Sequence, residues 1–355
     1  MSNDRQIKEA FHHWMPRFMA SNVDYNDLQR MIGKLESWDD WCRVWSQMGA
    51  EHEALAEAAV ATGHRVTATE AYLRATIYYH FGNAIFYRDM AQKEAAHFKK
   101  VECYAKAAPF LKPPAQRLEI PFETTSLPAY LRLPAGAGPH SLVILVCGSD
   151  SVKEQETQWE DALLARGMAT LSFDGPGQGE MWYRMKMRLD FEVSVVALVD
   201  YLVKRDDIDA RRIGLLGHSM GGYLGARAAA REHRLSAAVL IAPFFERKPW
   251  EKLSGFLQAG YQHITGSANE AEARAFVEEL TLADVAGDIR CPILIIHGTK
   301  DTLTPLAHAE RLAAATTCPT ELLVIPDGNH VVTNFVYKMR PAAADWLADR
   351  LVSDS

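Results

Sequence analysis

The sequence predicts an α/β protein: a mostly parallel sheet flanked by helices, with a helical domain in front of it. Three observations carry that reading. From about Asn3 to Phe110, apolar and aromatic residues recur at three- and four-residue spacing with few β-branched runs, the period of buried helix faces. At Leu111-Lys112-Pro113-Pro114 the texture changes, because consecutive prolines stop a helix. Beyond that point short, continuous apolar runs alternate with helical stretches, the pattern of a parallel sheet buried on both faces.

Taken in order, the clearest N-terminal helix runs from Thr67 to Tyr87, with Thr67 or Thr69 as its N-cap. Its aromatic residues are too numerous for a one-sided amphipath, so more than one side should be buried. The segment RLEIPFETTSLPAYLRLP reads as two short alternating strands forming a hairpin. Strands follow at Leu142–Cys147, Ala169–Phe173, Ile213–Leu216, Ala237–Ile241, Ile293–Ile296 and Glu321–Ile325. Helices are expected at Gln155–Arg166, Phe191–Arg205, Gly222–Arg231, Leu306–Ala315 and Arg340–Val352. The excursion between Pro243 and Arg290 is too long for a loop. It carries helical patterns at Trp250–His263 and Asn269–Leu280, which reads as a cap. The expected organisation is thus a helical N-terminal (cap or lid) domain over 1–112 and a catalytic domain over 113–355, with a helical cap insertion at about 244–290.

Composition narrows the function classes. Hydrophobic residues make up 48% and charged residues 23%, ordinary for a globular chain with a sizeable core. The formal net charge of -7 disfavours a phosphate backbone or an anionic membrane as partner, so neither nucleic acid nor membrane is expected. No stretch approaches the ~20 apolar residues of a membrane span. The N-terminus lacks the apolar run of a signal peptide. The five cysteines are scattered, without C-x-x-C spacing, which disfavours a disulfide framework and a zinc knuckle. A cytoplasmic location and a small-molecule substrate are the expectation. A homodimer is compatible with the sequence, although no motif specifies one.

Gly217-His218-Ser219-Met220-Gly221 matches G-x-S-x-G between an apolar strand and a helix, the context that motif requires. It points to the α/β-hydrolase fold, with Ser219 as nucleophile. Serine needs a base that is itself oriented by an acid. In this fold the acid and then the histidine follow on loops after later strands. Asp301, in GTKDTLTP, and His330, in DGNHVVTN, occupy those places. Asp327 is a rival acid but lies on the histidine's own loop, and His218 and His297 read as packed neighbours. The oxyanion hole is expected from the N–H of Met220 and, after the first apolar strand, that of Ser149. Asp174-Gly-Pro-Gly-Gln-Gly-Glu180 lacks the order and lysine of a phosphate loop, so it reads as a tight turn near the pocket. No metal site stands out; His12 and His13 are adjacent rather than spaced as a helical chelate.

The blocks VILVCGSDSVKEQE, LLARGMATLSFDGPGQGE and GHSMGGYLGARAAA resemble 2,6-dihydroxypseudooxynicotine hydrolase and its relatives, among them fungal ketide-shortening hydrolases. EAYLRATIYYHFGNAIF resembles the helical domain of the same group. The resemblance implies hydrolysis of a carbon–carbon bond next to a ketone, without a cofactor. It also implies an additional acidic pocket residue after the strand beyond the nucleophile, for which Glu251, beside Trp250, is preferred to Glu246. Tyr78, Tyr79, His80 and Phe81 form an aromatic cluster that either roofs the pocket or belongs to the helical core. With the same triad, a carboxylesterase or thioesterase is the alternative.

Overall fold

The computed structural model describes residues 4–352 and separates into two compact units, Met1–Gln116 and Arg117–Ser355. The first is helical: α1 (Arg5–Ala20), α2 (Tyr25–Ile32), α3 (Trp41–Ala61), α4 (Arg65–Ala84) and α5 (Met90–Ala107). Asp4, Asp24 and Asp89 cap α1, α2 and α5 by accepting the first free backbone N–H groups with their carboxylates. At α4 the expected threonine cap is corrected. The helix starts earlier, at Arg65 after His64, and Thr69 Oγ1 donates back to the Arg65 carbonyl at 2.8 Å. The core of this unit is aromatic, with Phe18 edge-on to Phe81 at 4.7 Å and Trp38 stacked on Trp41 at 4.8 Å.

The second unit is built on an eight-stranded sheet of order β1-β2-β4-β3-β5-β6-β7-β8. Its strands are β1 (Ala115–Phe122), β2 (Thr125–Arg132), β3 (His140–Val146), β4 (Ala169–Phe173), β5 (Ile208–His218), β6 (Leu235–Ile241), β7 (Ile293–Gly298) and β8 (Thr320–Ile325). β2 runs antiparallel to β4, and from β4 through β8 every pairing is parallel. The connecting helices are α6 (Thr157–Leu164), α7 (Glu192–Leu202), α8 (Met220–Arg231), α11 (Ala307–Ala315) and α12 (Val336–Leu351). This is the α/β-hydrolase fold. Strand alternation assigns the two faces: Ile144 and Leu215 pack with Val195 and Leu198 of α7 and Leu224 of α8. Val143, Leu145 and Leu216 pack with Leu163 of α6 and Leu347 of α12. The central strands β3 and β5 are therefore apolar on both sides, which is why the sequence shows unbroken runs there rather than alternation.

The excursion after β6 holds α9 (Gly255–Thr265) and α10 (Glu270–Glu278). Asn269 caps α10 by accepting Glu272 N–H at 3.0 Å, and Gly266 ends α9 in a left-handed conformation. Two helix expectations shift in register. The last helix begins at Val336, ahead of the expected Arg340, and carries Pro341 inside it. The expected helix from Trp250 is a short 3₁₀ turn, Trp250–Lys252, separated from α9. No helix among the described residues is long and apolar enough to cross a membrane.

Candidate active site

Parallel strands place their C-terminal loops at one edge of the sheet, and three of those loops meet. Ser219 follows β5 on a turn with φ 56° and ψ -120°, a left-handed conformation that a non-glycine residue holds only under constraint. The constraint is packing. A Cβ on Gly217 would lie 2.1 Å from the Gly221 carbonyl oxygen, and one on Gly221 would lie 2.0 Å from that of Val146. Only glycine at both positions lets α8 start hard against the sheet. Ser219 N–H donates to the Ile241 carbonyl at 2.8 Å, fixing the turn to β6.

His330 follows β8. Its Nε2 is 2.8 Å from Ser219 Oγ and its Nδ1 is 2.7 Å from Asp301 Oδ2. Because a carboxylate only accepts, Nδ1 carries the proton and Nε2 is left to accept from the serine hydroxyl. The turn after the histidine is strained, with Val331 at φ 59° and Val332 at φ 52°, an outlying conformation for β-branched residues. The fully buried Val332 side chain anchors that turn.

Asp301 follows β7, and its side chain is buried. Its Oδ1 accepts the N–H groups of Leu303 and Thr304 at 2.9 and 2.8 Å. Burial pushes the carboxyl's pKa up, but the His330 charge, the hydrogen bond from His330 and the Thr304 N–H outweigh it and leave the pKa below the ordinary value. Asp301 therefore stays an anion facing the imidazole. Asp327, the rival acid, donates its N–H to Thr299 Oγ1 at 2.8 Å and is exposed.

Met220 is the first residue of α8, so its N–H has no acceptor within the helix. Ser149 lies in the loop after β3, next to Gly148, at the same edge of the sheet; among the described residues its N–H makes no hydrogen bond. His218 and His297 are both packed neighbours. His218 Nε2 is 3.1 Å from the buried Glu156, and His297 Nε2 is 2.7 Å from the Thr304 carbonyl.

The remaining expectations resolve differently. Tyr78 and Tyr79 belong to the core of the helical unit. Tyr78 Oη donates to Asp27 at 2.9 Å and accepts Asp24 N–H at 3.1 Å, while Tyr79 Oη donates to Glu53 at 2.8 Å. Both phenols are thus committed within that unit, and His80 is buried beside Phe81. Glu251 is exposed and paired with Arg274 at 2.5 Å, and Glu246 is paired with Arg311 at 2.6 Å. The buried Trp250 directs its Nε1 to Glu270 at 3.0 Å. Glu251 thus sits as a surface ion pair on the insertion rather than as a buried acid beside Trp250. Glu154, Asp174 and Glu180 converge closely enough to hold a metal ion, but the Lys153 ammonium lies among them, 2.7 Å from Asp174 Oδ2.

A model of the prolyl oligopeptidase family matches residues 155–351, and one of the FrsA-like esterases matches residues 19–247. Over 343 residues the chain is 36% identical to 2,6-dihydropseudooxynicotine hydrolase of Paenarthrobacter nicotinovorans, covering 95% of this chain and 91% of that one. The chain belongs to this family of α/β-hydrolases. The crystal structure of 2,6-dihydroxy-pseudo-oxynicotine hydrolase superposes with a TM-score of 0.88 at 34% identity, over 95% of this chain and 96% of that one. Hydrolyase poxO of Penicillium oxalicum is 34% identical over 59% of this chain, and the match spans 53% of its length. The similarity to the pseudooxynicotine hydrolase runs through the helical unit as well as the sheet. This family member is a hydrolase.

Proposed function

We propose that the protein hydrolyses a carbon–carbon bond next to a ketone on an aromatic or polyketide-like small molecule, with Ser219, His330 and Asp301 as its catalytic triad. The observation that carries this reading is similarity to the pseudooxynicotine hydrolase along 95% of the chain, helical unit included. The Ser219–His330–Asp301 spacing supplies the chemistry.

Ser219 Oγ attacks the ketone carbon while His330 Nε2 takes its proton. The carbonyl oxygen becomes an alkoxide held by the N–H groups of Met220 and Ser149. Collapse of the tetrahedral adduct breaks the bond to the ring carbon. That carbon leaves with the electron pair, which an electron-rich hydroxyaromatic ring accepts in an enolate-like form. His330 returns the proton to it. Water, deprotonated by the same imidazole, then releases the carboxylic acid and restores Ser219. The imidazolium formed in each half is stabilised by the Asp301 anion.

A carboxylesterase reading rests on the FrsA-like esterase match over residues 19–247. Oxygen leaving groups need no carbon protonation, so the same triad serves both reactions. Wild type and Ser219→Ala incubated with hydroxyaryl ketones and matched aryl esters, with products followed by mass spectrometry, separate the two. Ser219-dependent formation of an arene and a carboxylic acid supports carbon–carbon hydrolysis. Ester turnover with inert ketones overturns it and leaves the esterase. Unreactive Ser219 in both series overturns the triad itself.

A further inference from the structure

Between β4 and α7 the chain passes through Asp174-Gly-Pro-Gly-Gln-Gly-Glu180, a turn that the serine chemistry does not use. Its middle is buried, Gln178 being 2% exposed. The Gln178 side chain points back across the sheet edge to the neighbouring strand. Its Nε2 donates to the Cys147 carbonyl at 2.7 Å and lies 3.4 Å from that of Gly148. Its Oε1 accepts the Gly175 N–H at 3.0 Å, so both ends of the amide are held and its orientation is fixed. Cys147 and Gly148 immediately precede Ser149. Gly148 in turn lies against the nucleophile strand, where a Cβ would stand 3.3 Å from the His218 carbonyl oxygen.

A second tie runs in parallel. Asp174 accepts Lys153 N–H at 3.0 Å and the Lys153 ammonium at 2.7 Å, and its Oδ2 also accepts Glu180 N–H at 3.0 Å. The loop from Cys147 to Lys153 is therefore fastened to the glycine-rich turn at both ends, by Gln178 at the start and Asp174 at the finish. Between the two ties sits Ser149, whose N–H the proposed reaction needs.

We infer that Gln178 is a positioning residue for the oxyanion hole. By gripping the Cys147 and Gly148 carbonyls it sets the direction of the peptide that follows, and with it the Ser149 N–H. The inference rests on the reading of Ser149 as an oxyanion donor. Its effect belongs to the transition state, because an alkoxide depends on donor direction far more than a ground-state carbonyl does.

The test uses Gln178→Met, which keeps volume and removes the amide, and Gln178→Asn, which keeps the amide but withdraws it by one methylene. Turnover is read with a p-nitrophenyl ester, and the hole is read with an aryl trifluoromethyl ketone, which forms a hemiketal on Ser219. The expected result is a loss in kcat of about 10- to 100-fold with KM nearly unchanged, the scale that a roughly 1 Å misplacement produces. The ketone inhibition constant rises by the same factor, and Gln178→Asn falls between wild type and Gln178→Met. If Gln178→Met does not fold, the matched shift of kcat and inhibition constant in Gln178→Asn decides. Unchanged kcat and inhibition in the folded variants overturns the inference, as does a kcat loss without weakened ketone binding. Ser219→Ala run beside them reports failure of the triad separately, and the ester probe leaves the result independent of carbon–carbon cleavage.

Discussion

Gly298 and Gly328 lock the acid loop to the histidine loop. A Cβ on Gly298 would stand 2.2 Å from the Gly328 carbonyl oxygen, and that same oxygen accepts the Lys300 N–H at 2.8 Å. Asp301 and His330 thus hang from backbones in direct contact, and their 2.7 Å hydrogen bond inherits that spacing. Gly298→Ala must push the two backbones apart. The expected cost is about 1–3 kcal/mol of stability from overpacking. Turnover should fall further than that cost explains, because the Asp301–His330 contact lengthens. Thermal unfolding alongside ester kinetics checks it; an unchanged kcat in a folded variant contradicts the coupling.

Asp301→Asn preserves shape but offers an N–H where His330 needs an acceptor. Turnover should fall by about 10⁴-fold, the scale of losing the orienting acid in a serine triad. Stability has a defined pH dependence here. The folded pKa of Asp301 lies below its ordinary 3.8, so the ionised carboxylate's contribution is present above pH 3.8 and is lost as pH falls through the lower folded value. The difference in unfolding midpoint between wild type and Asp301→Asn should therefore shrink below pH 3.8. A difference that stays constant down to acid unfolding would contradict the assignment.

Lys153 is a fully buried ammonium among Glu154, Asp174 and Glu180. Burial raises the Glu180 pKa, but Lys153 and Arg117 more than reverse this and hold it at about 2, against an ordinary 4.5. Lys153→Met should destabilise the fold by about 3–5 kcal/mol, as removal of one partner from a buried ion cluster does. The stability that wild type loses as pH falls from 4.5 toward 2 should be smaller in the variant. Denaturant titrations at pH 7 and pH 3 measure both effects, and an equal loss of stability between the two pH values in both proteins would contradict the second.

The strands and the Ser219, Asp301 and His330 positions were legible because the sheet is buried on both faces. Its inner strands print as mostly apolar runs, and the loops that end them stand out as breaks in which glycine and aspartate recur. Chain order then assigns each loop a place. Tyr78 and Tyr79 were not legible in the same way: an aromatic-rich helix reads alike whether it lines a pocket or fills a core, and the hydroxyl partners Asp27 and Glu53 lie far away in sequence. Gln178 was read only as part of a turn. Its contact with Cys147 exists because β4 lies beside β3, and strand order is set by tertiary packing that no local pattern records. Glu251 illustrates the converse error, since adjacency to Trp250 in sequence says nothing of direction. The tryptophan turns inward and the glutamate turns out to Arg274.

His297, on β7, packs against Asp301. Its side chain is fully buried, with Nε2 2.7 Å from the Thr304 carbonyl and 3.5 Å from Asp301 Oδ2. Burial lowers its pKa more than the neighbouring Asp301 charge raises it, so the ring is neutral at pH 7. The carbonyl partner requires the proton to sit on Nε2. The neutral ring therefore holds Thr304, whose own N–H holds Asp301 Oδ1 at 2.8 Å. His297→Phe keeps the ring volume and removes that donor. The expected outcome is a kcat lowered by about 10-fold with KM unchanged, from a misdirected acid rather than a missing one. His297→Gln, which can still donate to the Thr304 carbonyl, should recover most of it. Equal losses in the two variants would show that ring packing, not the Thr304 hydrogen bond, is what the acid loop requires.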